Sequence, residues 1–376
     1  MLFPYAPSYR EAIYKLMDKE FDIDWFFCRN ATRNLKLLDY TELINCDLSM
    51  EEKKIYGSVV YYKGITKLNL SQYDVIICAG VIRSISEWWL LQKIGRGMKH
   101  PRIYLWTHGW YGKESRLQKL IKKFFFRKVD GFFLYGDYAR NEMIKEGFDA
   151  DKLHVIKNSL DYDRQLAIRR ILKPTMLYNE HFGYNYPVLI MIGRLNIRKK
   201  LDMLIEAVNV LKSQGENYNI VFIGEGEDRI KLSSLVTKYG ITERAWFYGA
   251  CYDERTNAEL LYNADLCVIP GDIGLTAIHA MTMGIPVISH NCFKYQGPEF
   301  ESIIPGRTGD FFEYDNVDDL AHCISQWFAT KRNAREQVRQ ACYAEIDKHW
   351  NPYYQLKVLK SVFEAKCNYH NMVSDI

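Results

Sequence analysis

The chain has 376 residues and a formal net charge of +4, and a chain of this length divides most readily into two domains of about 150–200 residues. Its content of 48% hydrophobic and 26% charged residues excludes a disordered chain, and the small net charge gives no reason to expect a nucleic-acid partner. The nine cysteines show no CxxC spacing, which argues against a zinc or redox centre and favours reduced thiols in a cytoplasmic protein.

Neither a signal peptide nor a transmembrane helix is predicted. The first ten residues, MLFPYAPSYR, contain few apolar side chains. The longest apolar stretch, residues 266–289, contains Asp272, His279 and two prolines, which are uncommon in a membrane-spanning helix. We therefore expect a cytoplasmic protein that meets a membrane, if at all, from its inner face.

Short apolar strands alternate with amphipathic helices along the chain. Near-continuous apolar runs such as 75–78 and 188–192 are typical of parallel strands that helices cover on both faces. This alternation predicts an α/β fold with doubly wound sheets. The predicted strands are residues 21–28, 73–79, 102–106, 131–135, 153–156, 187–192, 219–224, 245–248, 265–269 and 286–289.

The segment 161–186 is the predicted link between two strand-rich halves, because it contains Pro174 and a polar, aromatic run. We predict an N-terminal Rossmann-like domain of residues 1–165 and a C-terminal one of residues 166–350. A final helix at about 351–376, which begins with an Asn-Pro pair, is expected to join the N-terminal domain. In such domains ligands bind at the carboxyl ends of the strands.

Positive charge follows the strand at 188–192. Gly193 ends that strand, and Arg194, Arg198 and Lys199 come directly after it. Arginine can bind a diphosphate with two hydrogen bonds, and lysine acts as a mobile point charge. The pattern indicates a phosphate site, and an ordinary solvated basic turn is the alternative.

A glycine-containing loop follows the strand at 265–269. Gly271 and Gly274 would allow the backbone to approach a ligand closely. A helix predicted to begin near Leu275 would direct free N–H groups toward an anion. His279 lies about one turn inside that helix. It could face the ligand, and the alternative is a histidine that is hydrogen-bonded within the core.

A histidine also ends a strand in the N-terminal half. His108 follows the strand at 102–106 and precedes Gly109. From there it could hydrogen-bond a sugar hydroxyl or a developing charge, although one such histidine is a weak signal.

Five segments follow one another in a characteristic order: IGRLNIRKKLDMLIEAV, VFIGEGEDRIKL, FYGACYDE, YNADLCVIPGDIGLTAIHAMTMGIPVIS and PGRTGDFF. Their order and spacing resemble the nucleotide-binding half of family 4 (group 1) retaining glycosyltransferases. The resemblance is firm over residues 187–327, weaker over 102–161 and faint before that. It implies the GT-B fold, in which two Rossmann-like domains face each other across a cleft and a C-terminal helix packs back on the N-terminal domain.

The resemblance also implies roles for the matching residues. Arg194 and Lys199 match the residues that bind the diphosphate, and His108 matches a histidine near the transferred sugar; these three are the implied catalytic residues. The implied donor-binding residues are Gly193, Glu225 in the GEGE turn, Ala250, Cys251 and Tyr252 near the base, and Gly271, Asp272, Gly274, Leu275, Thr276 and His279.

The sequence departs from the family in two places. The family's two glutamates, eight residues apart, fall on Gly271 and His279; the first normally contacts the donor sugar and the second holds the ribose. Asp272 could replace the first, and His279 could make a single hydrogen bond to a ribose hydroxyl. The N-terminal loop lacks the family's glycine pair, so Tyr9 and Arg10 are candidate acceptor-side residues.

We therefore expect a hexosyltransferase-like enzyme, independent of metals and cofactors, that moves a sugar from a UDP- or GDP-linked donor to the hydroxyl of a glycan or lipid-linked acceptor. The resemblance implies same-face transfer with retention, in which the leaving diphosphate helps to deprotonate the acceptor. It also implies a place in cell-surface polysaccharide or lipid-linked oligosaccharide synthesis. The alternatives are a nucleotide-sugar-binding or scaffolding partner without turnover, and a nucleotide-sugar epimerase or a phosphorylase.

Residues 113–128 predict a basic amphipathic helix, with seven Lys or Arg against one Glu. Such a helix can lie on an anionic membrane, at about 1 kcal/mol per basic residue near the surface. Packing on its own domain is the alternative, because it needs the same apolar face. The apolar face is Leu117, Leu120, Ile121 and Phe124, and the basic one is Lys119, Lys122, Lys123 and Arg127.

Overall fold

The structure divides into two compact units. The computed structural model describes residues 1–31, 36–94 and 101–373, the last nine by their backbone alone. One unit is Met1–Asp161 with Pro352–Ile376, and the other is Tyr162–Asn351. The predicted domain boundaries, 165/166 and 350/351, lie four residues and one residue from these joins.

The N-terminal unit is built on mostly parallel strands connected by helices. Its strands are β1 (Asp24–Cys28), β2 (Asn45–Tyr56), β3 (Val59–Lys63), β4 (Val75–Cys78), β5 (Arg102–Thr107), β6 (Gly131–Leu134) and β7 (Leu153–Val155). Its helices before the linker are α1 (Glu11–Glu20), α2 (Ile85–Ile94), α3 (Arg116–Phe126) and α4 (Asp137–Lys145). The strands pair in the orders β1-β2-β3 and β4-β5-β6-β7.

The first residues of the chain connect these two groups of strands. The Leu2 amide donates to Ile77 O at 2.8 Å, and the Phe26 amide donates to Met1 O at 2.9 Å. Leu2 therefore bridges β1 and β4. A single bridging residue and its neighbours therefore join the two groups of strands.

Strands β2 and β3 are absent from the prediction. They pair antiparallel, with Glu51 opposite Lys63. Most of β2 is half-buried or exposed, so it carries no apolar run that would mark it as a strand. β2 is the middle strand of its group, but residues 45–50 pair only with β1 and residues 51–56 only with β3.

The C-terminal unit contains one six-stranded sheet. Its helices are α5 (Tyr162–Arg169), α6 (Leu177–Phe182), α7 (Leu201–Ser213), α8 (Arg229–Lys238), α9 (Glu254–Asn263), α10 (Thr276–Thr282), α11 (Val317–Lys331) and α12 (Arg335–His349). Its strands are β8 (Val188–Ile192), β9 (Asn219–Ile223), β10 (Ala245–Gly249), β11 (Leu266–Ile269), β12 (Val287–His290) and β13 (Gly309–Phe312).

The strand order places a ligand site at one edge of this sheet. The strands run parallel in the order β10-β9-β8-β11-β12-β13, which is the doubly wound order 3-2-1-4-5-6. The order reverses between β8 and β11, and ligands of such sheets bind outside the carboxyl ends of the strands at that point. Gly193 and Gly271 follow these two strands, and the predicted α/β class is confirmed.

The last helix, α13 (Pro352–Val373), packs on the N-terminal unit, as predicted. Leu359 is buried in the core with residues of α1 and β5, and the ring of Phe363 lies 5.5 Å from that of Phe21. Gln355 is also buried; its Nε2 donates to Lys157 O at 3.1 Å. Apolar packing and this hydrogen bond therefore fix the helix to the unit that begins the chain.

A buried acid lies at the carboxyl edge of β4. Glu87, in α2, accepts a hydrogen bond from the Val81 amide at 2.9 Å, and its Oε1 has no hydrogen-bond partner among the described residues. Burial raises the pKa of this carboxyl from 4.5 to about 7, against the opposing effect of the Val81 and Gly80 amides. Glu87 therefore retains its proton in the folded chain at a pH where the unfolded chain has lost it.

We expect the stability of the chain to fall as pH rises from about 4.5 to 7, because only the folded state then binds this proton. Glu87→Gln should abolish that part of the pH dependence, which amounts to about 2 kcal/mol in the free energy of unfolding between pH 5.5 and pH 8. Urea unfolding at pH 5.5 and pH 8 measures it. The control is Glu243→Gln at an exposed position; an unchanged pH dependence in Glu87→Gln would contradict the assignment.

Candidate active site

Two glycines allow neighbouring turns to touch at the carboxyl edge of the C-terminal sheet. Gly224 and Gly226 lie against the turn after β8: a Cβ on the first would stand 1.9 Å from Gly193 O, and one on the second 2.0 Å from Leu195 O. The Leu195 amide donates to Glu225 O at 3.0 Å. Only glycine fits at both positions, so the GEGE motif serves to bring two turns together, while the Glu225 side chain stays exposed.

A second close approach joins the basic turn to the loop after β11. The Gly271 amide donates to Lys199 O and the Asp272 amide to Arg198 O, both at 2.9 Å. A Cβ on Gly271 would lie 2.0 Å from Arg198 O. Glycine at position 271, where the related family has glutamate, is therefore a steric requirement of this backbone arrangement.

The Lys199 side chain holds the same loop. Its Nζ donates to Asp272 O at 2.6 Å and to Ile273 O at 2.9 Å. The ammonium borders Gly274, because a Cβ there would lie 3.7 Å from Nζ. Burial lowers the pKa of Lys199, and the nearby charges of Asp272 and Glu299 oppose that effect. The basic turn thus places the Lys199 ammonium against the backbone of the glycine-containing loop.

Asp272 does not supply the carboxylate missing from position 271. Its carboxylate pairs with the Arg198 guanidinium. Arg194, at the start of the same turn, is exposed. Both arginines are therefore exposed, and Arg198 is the one whose ion pair joins the basic turn to the loop.

Thr276 and Leu275 lie where the loop meets α10. The Thr276 hydroxyl donates to Ile192 O at 2.9 Å, which ties the helix to the end of β8. Leu275 is half-buried and precedes the helix. The predicted helix start is confirmed, but the Thr276 side chain is used internally.

Two residues that sequence reasoning overlooked support the loop from its far side. Gln296 accepts from the Ile273 amide at 3.0 Å and donates to Ser289 and to His290 O. Glu299 is buried beside Gly297. A Cβ on Gly297 would lie 2.7 Å from Glu299 Oε2 and 3.2 Å from the Gly274 nitrogen. Neither belongs to a motif quoted for the family; the Pro-Glu pair after a buried strand is the only local signal.

His279 is paired with an acid from another helix. Its Nε2 lies 2.9 Å from Glu254 Oε1, and the same oxygen accepts from Gln165 Nε2 at 2.9 Å. Both Glu254 and Gln165 are additions to the predicted site. Helices α5, α9 and α10 meet at this point.

The predicted base-binding segment lies between β10 and α9. Ala250 is exposed, and the Tyr252 ring is 94% exposed. Cys251 O accepts from Asn257 Nδ2 at 3.2 Å, which anchors the segment to α9. The exposed tyrosine is available to cover a flat ligand.

In the N-terminal unit, His108 and Arg10 lie against the same ring. The ring of His108, an exposed residue, is 4.7 Å from that of Tyr135, and the Arg10 guanidinium is 5.3 Å from it. Arg10 also lies over the rings of Trp106 and Tyr9. Arg10 is therefore enclosed by aromatic rings, and His108 is the more accessible of the two.

Helix α3 begins with a capping box formed by Ser115 and Gln118. Its predicted apolar face is exposed: Leu117, Leu120 and Phe124 are 67, 66 and 61% exposed. The core contacts come instead from the two phenylalanines that follow, Phe125 and Phe126. Most of this face is therefore exposed rather than packed on its own domain, although the Phe124 ring lies 5.8 Å from that of Trp88 in the same unit.

Three of the four predicted basic residues of α3 are paired with acids. Lys122 pairs with Glu114 at 2.6 Å and lies over the Trp110 ring, while Lys119 and Lys123 share Glu146. The fourth, Arg127, is exposed, as is Arg116, and Lys128 Nζ lies 4.6 Å from the Phe124 ring. Among the described residues, no helix combines the length and the hydropathy needed to cross a membrane.

Residues 179–345 match the family model of the group 1 glycosyl transferases. The chain is 23% identical over 308 residues to lipopolysaccharide 1,6-galactosyltransferase of Salmonella typhimurium, over 79% of this chain and 77% of that protein. It is 23% identical to the GDP-mannose-dependent alpha-(1-6)-phosphatidylinositol monomannoside mannosyltransferase of Mycolicibacterium smegmatis, over 57% of this chain and about half (53%) of that protein.

The structure is similar to that of Anabaena Alr3699/HepE in complex with UDP-glucose. The TM-score is 0.68 with 15% identity, over 96% of this chain and 99% of that one. This similarity establishes the GT-B fold.

The contact between the Gly271 and Arg198 backbones generates a stability prediction. Gly271→Ala should lower the free energy of unfolding by about 3 kcal/mol. The added Cβ would collide with the backbone of Arg198, and a backbone segment cannot move aside as a flexible side chain can. Gly183→Ala is the control. A Cβ at this position would meet no neighbouring atom, so the variant pays only for the positive φ. That should lower the free energy of unfolding by about 1 kcal/mol. Equal losses in denaturant unfolding would contradict the close approach.

Proposed function

We propose, on the premise that this chain is a glycosyltransferase of group 1 and of the GT-B fold, that it transfers a sugar from a UDP- or GDP-linked donor to a hydroxyl of a glycan or lipid-linked acceptor. The observation that carries the donor assignment is the Lys199 ammonium beneath Gly274, at the point where the strand order reverses. By their names, the Salmonella relative acts on lipopolysaccharide and the Mycolicibacterium relative on a phosphatidylinositol monomannoside.

The principal chemical task is to stabilise a leaving diphosphate. Lys199 and the exposed Arg194 provide positive charge on one turn, and the Gly274 backbone is open to a ligand. Such charges stabilise a leaving group most when they are held in place beforehand. Lys199 is held by two carbonyl groups, so its position costs no reorganisation during the reaction.

We assign the remaining steps to same-face transfer with retention. The leaving diphosphate accepts the acceptor proton as the new glycosidic bond forms, so no protein nucleophile is required. Protein cations take the part that a metal ion plays elsewhere, and turnover in this proposal needs no metal or other cofactor.

A binding protein without turnover is the second candidate. The observation that favours it is the state of the loop, where Gly271 replaces a carboxylate and Asp272 is engaged with Arg198. The two candidates differ in product: a transferase releases nucleoside diphosphate and forms a glycosidic bond, and a binding protein does neither. An assay in the presence of EDTA tests turnover and metal independence together.

Arg194→Ala and Lys199→Ala should each weaken nucleotide binding by about 10- to 100-fold, because each removes charge-assisted hydrogen bonds to the diphosphate. Calorimetric titration with UDP and with GDP measures the loss and identifies the base. Lys212→Ala is a matched control, since Lys212 Nζ also donates to two carbonyls, of Tyr239 and Gly240, at the other end of α7.

Normal binding by both variants would refute the phosphate assignment. Binding of neither nucleotide by the folded, unmutated chain would refute the donor class. Loss of binding in Lys212→Ala as well would show that the variants act through stability.

We also propose that helix α3 docks the enzyme on an anionic membrane, where a lipid-linked acceptor would lie. Its exposed leucines and phenylalanine offer apolar area, at about 1.5–3 kcal/mol for each side chain fully buried. Arg116 and Arg127 are exposed beside them and complement acidic headgroups. The ion pairs of Lys119, Lys122 and Lys123 reduce their contribution, so docking depends mainly on the apolar face.

Leu117→Ser with Leu120→Ser should reduce the partition coefficient onto vesicles containing acidic phospholipid by at least about 10-fold. Flotation of the full chain with such vesicles measures it. Ile171→Ser with Ile230→Ser, two exposed isoleucines of the C-terminal unit, is the matched control. No flotation by the unmutated chain, or equal loss in the control, would exclude the docking surface.

A further inference from the structure

A cavity of about 520 Å³ lies at the amino edge of the C-terminal sheet. It is lined by residues at the start of three neighbouring strands: Val188 of β8, Asp265 before β11 and Pro286 before β12. Its volume falls in the range of small-molecule sites, about 300–1,000 Å³. The glycine-containing loop follows the opposite ends of these strands, so the cavity is separate from the candidate active site.

Positive charge predominates in this cavity. Its charged lining residues are four cations and two acids, namely Lys331, Arg332, Arg335 and Arg339, and Asp265 and Glu336. All four cations come from residues 331–339, where α11 ends and α12 begins. One short segment of the chain therefore supplies the whole positive wall.

Two of the arginines are held in place. Arg335 Nη1 pairs with Asp265 at 2.6 Å, and Arg335 Nη2 donates to Ala264 O at 2.8 Å. Arg339 Nη2 donates to Tyr262 O at 3.2 Å, and its guanidinium lies 3.7 Å from the centre of the Tyr262 ring. These contacts fix both guanidinium groups at the wall, and Arg335 also neutralises Asp265.

The charge of Arg339 is poorly compensated. Arg339 is only 5% exposed, and its Nη1 has no hydrogen-bond partner among the described residues. The acid that pairs with it, Glu336, is 3.6 Å away and 72% exposed. Burial raises the pKa of the nearby Tyr343 hydroxyl against the effect of Arg339, so this group is neutral and supplies no negative charge. A buried cation in this position favours an anion in the adjoining cavity.

Lys331 and Arg332 are the cations that remain for a ligand. Neither makes an ion pair with another residue in the part of the chain that the structure describes. Arginine can bind a phosphate with two parallel hydrogen bonds, and lysine adds a point charge. Asn179 and Asn185 also line the cavity, and their side-chain amides offer donors and acceptors to other polar groups of the same ligand.

We propose that this cavity binds a small molecule that carries a phosphate group. The phosphate lies against Lys331 and Arg332, with Arg335 and Arg339 as fixed charges beside them, and the two amides contact the rest of the molecule. The inference uses no residue of the proposed donor site. Since the two sites lie at opposite ends of the strands, this ligand and the donor bind without competing.

Calorimetric titration of the full chain with inorganic pyrophosphate, as a probe for the phosphate group, tests the site. Two forms are titrated, the unmutated chain and Arg194→Ala with Lys199→Ala, because the second form lacks the two cations of the proposed donor site. The second form should still bind pyrophosphate with a Kd of about 0.1 mM or tighter. Adding Lys331→Ala with Arg332→Ala should weaken that binding at least about 10-fold, because it removes the charge-assisted hydrogen bonds.

Lys238→Ala with Arg307→Ala is the matched control. These are an exposed lysine and an exposed arginine of the same unit, and neither lines the cavity nor makes an ion pair with a described residue. The control removes the same net charge from a distant place, where salt screens its effect on the cavity. Its affinity for pyrophosphate should stay within about 2-fold of its parent form.

Three results would overturn the inference. The first is an absence of pyrophosphate binding by the folded second form, and the second is an affinity that Lys331→Ala with Arg332→Ala leaves unchanged. The third is an equal loss in the control, which would show attraction by net charge alone. Where the second form does not fold, the unmutated chain decides: its pyrophosphate titration must lose a binding event in Lys331→Ala with Arg332→Ala. Failure of the unmutated chain to bind UDP or GDP refutes the proposed function and leaves this test intact.

Discussion

The candidate site depends on one backbone contact, the approach of residues 198–199 to residues 271–272. Two hydrogen bonds join these segments, and the Lys199 ammonium crosses the junction to reach two further carbonyls. The turn after β8 and the loop after β11 therefore behave as a single element. Gln296 accepts a hydrogen bond from the Ile273 amide on the far side of this element, so the loop is held from both directions.

Charge is distributed unevenly around this element. Lys199 and Arg194 make its centre positive, while Glu254, on another helix, places a negative group at the same sheet edge. A ligand that is anionic in one part and rich in hydroxyls in another satisfies both regions. The two regions thus carry opposite charge at one edge of the sheet.

The sequence predicts the central strands and the residues that follow them, because apolar runs mark buried parallel strands and parallel strands end at one edge. It could not predict β2, most of whose side chains are half-buried or exposed, and it missed β3, a five-residue strand that is mostly half-buried. Nor could it predict Glu254, which meets His279 across 25 residues, or Gln165, which meets Glu254 across 89. Asp272 looked available from its position alone, but its pairing with Arg198 depends on the path of the loop. The apolar face of α3 has the same pattern whether it is buried or exposed, and only the structure distinguishes the two.

Glycine at position 271 has a consequence for the engineering of this loop. A side chain there collides with the carbonyl of Arg198, so a glutamate cannot be introduced by one substitution while residues 198–199 keep their course. Its introduction requires a coordinated change in two segments separated by more than seventy residues. A carboxylate placed on an element outside these two segments avoids that collision.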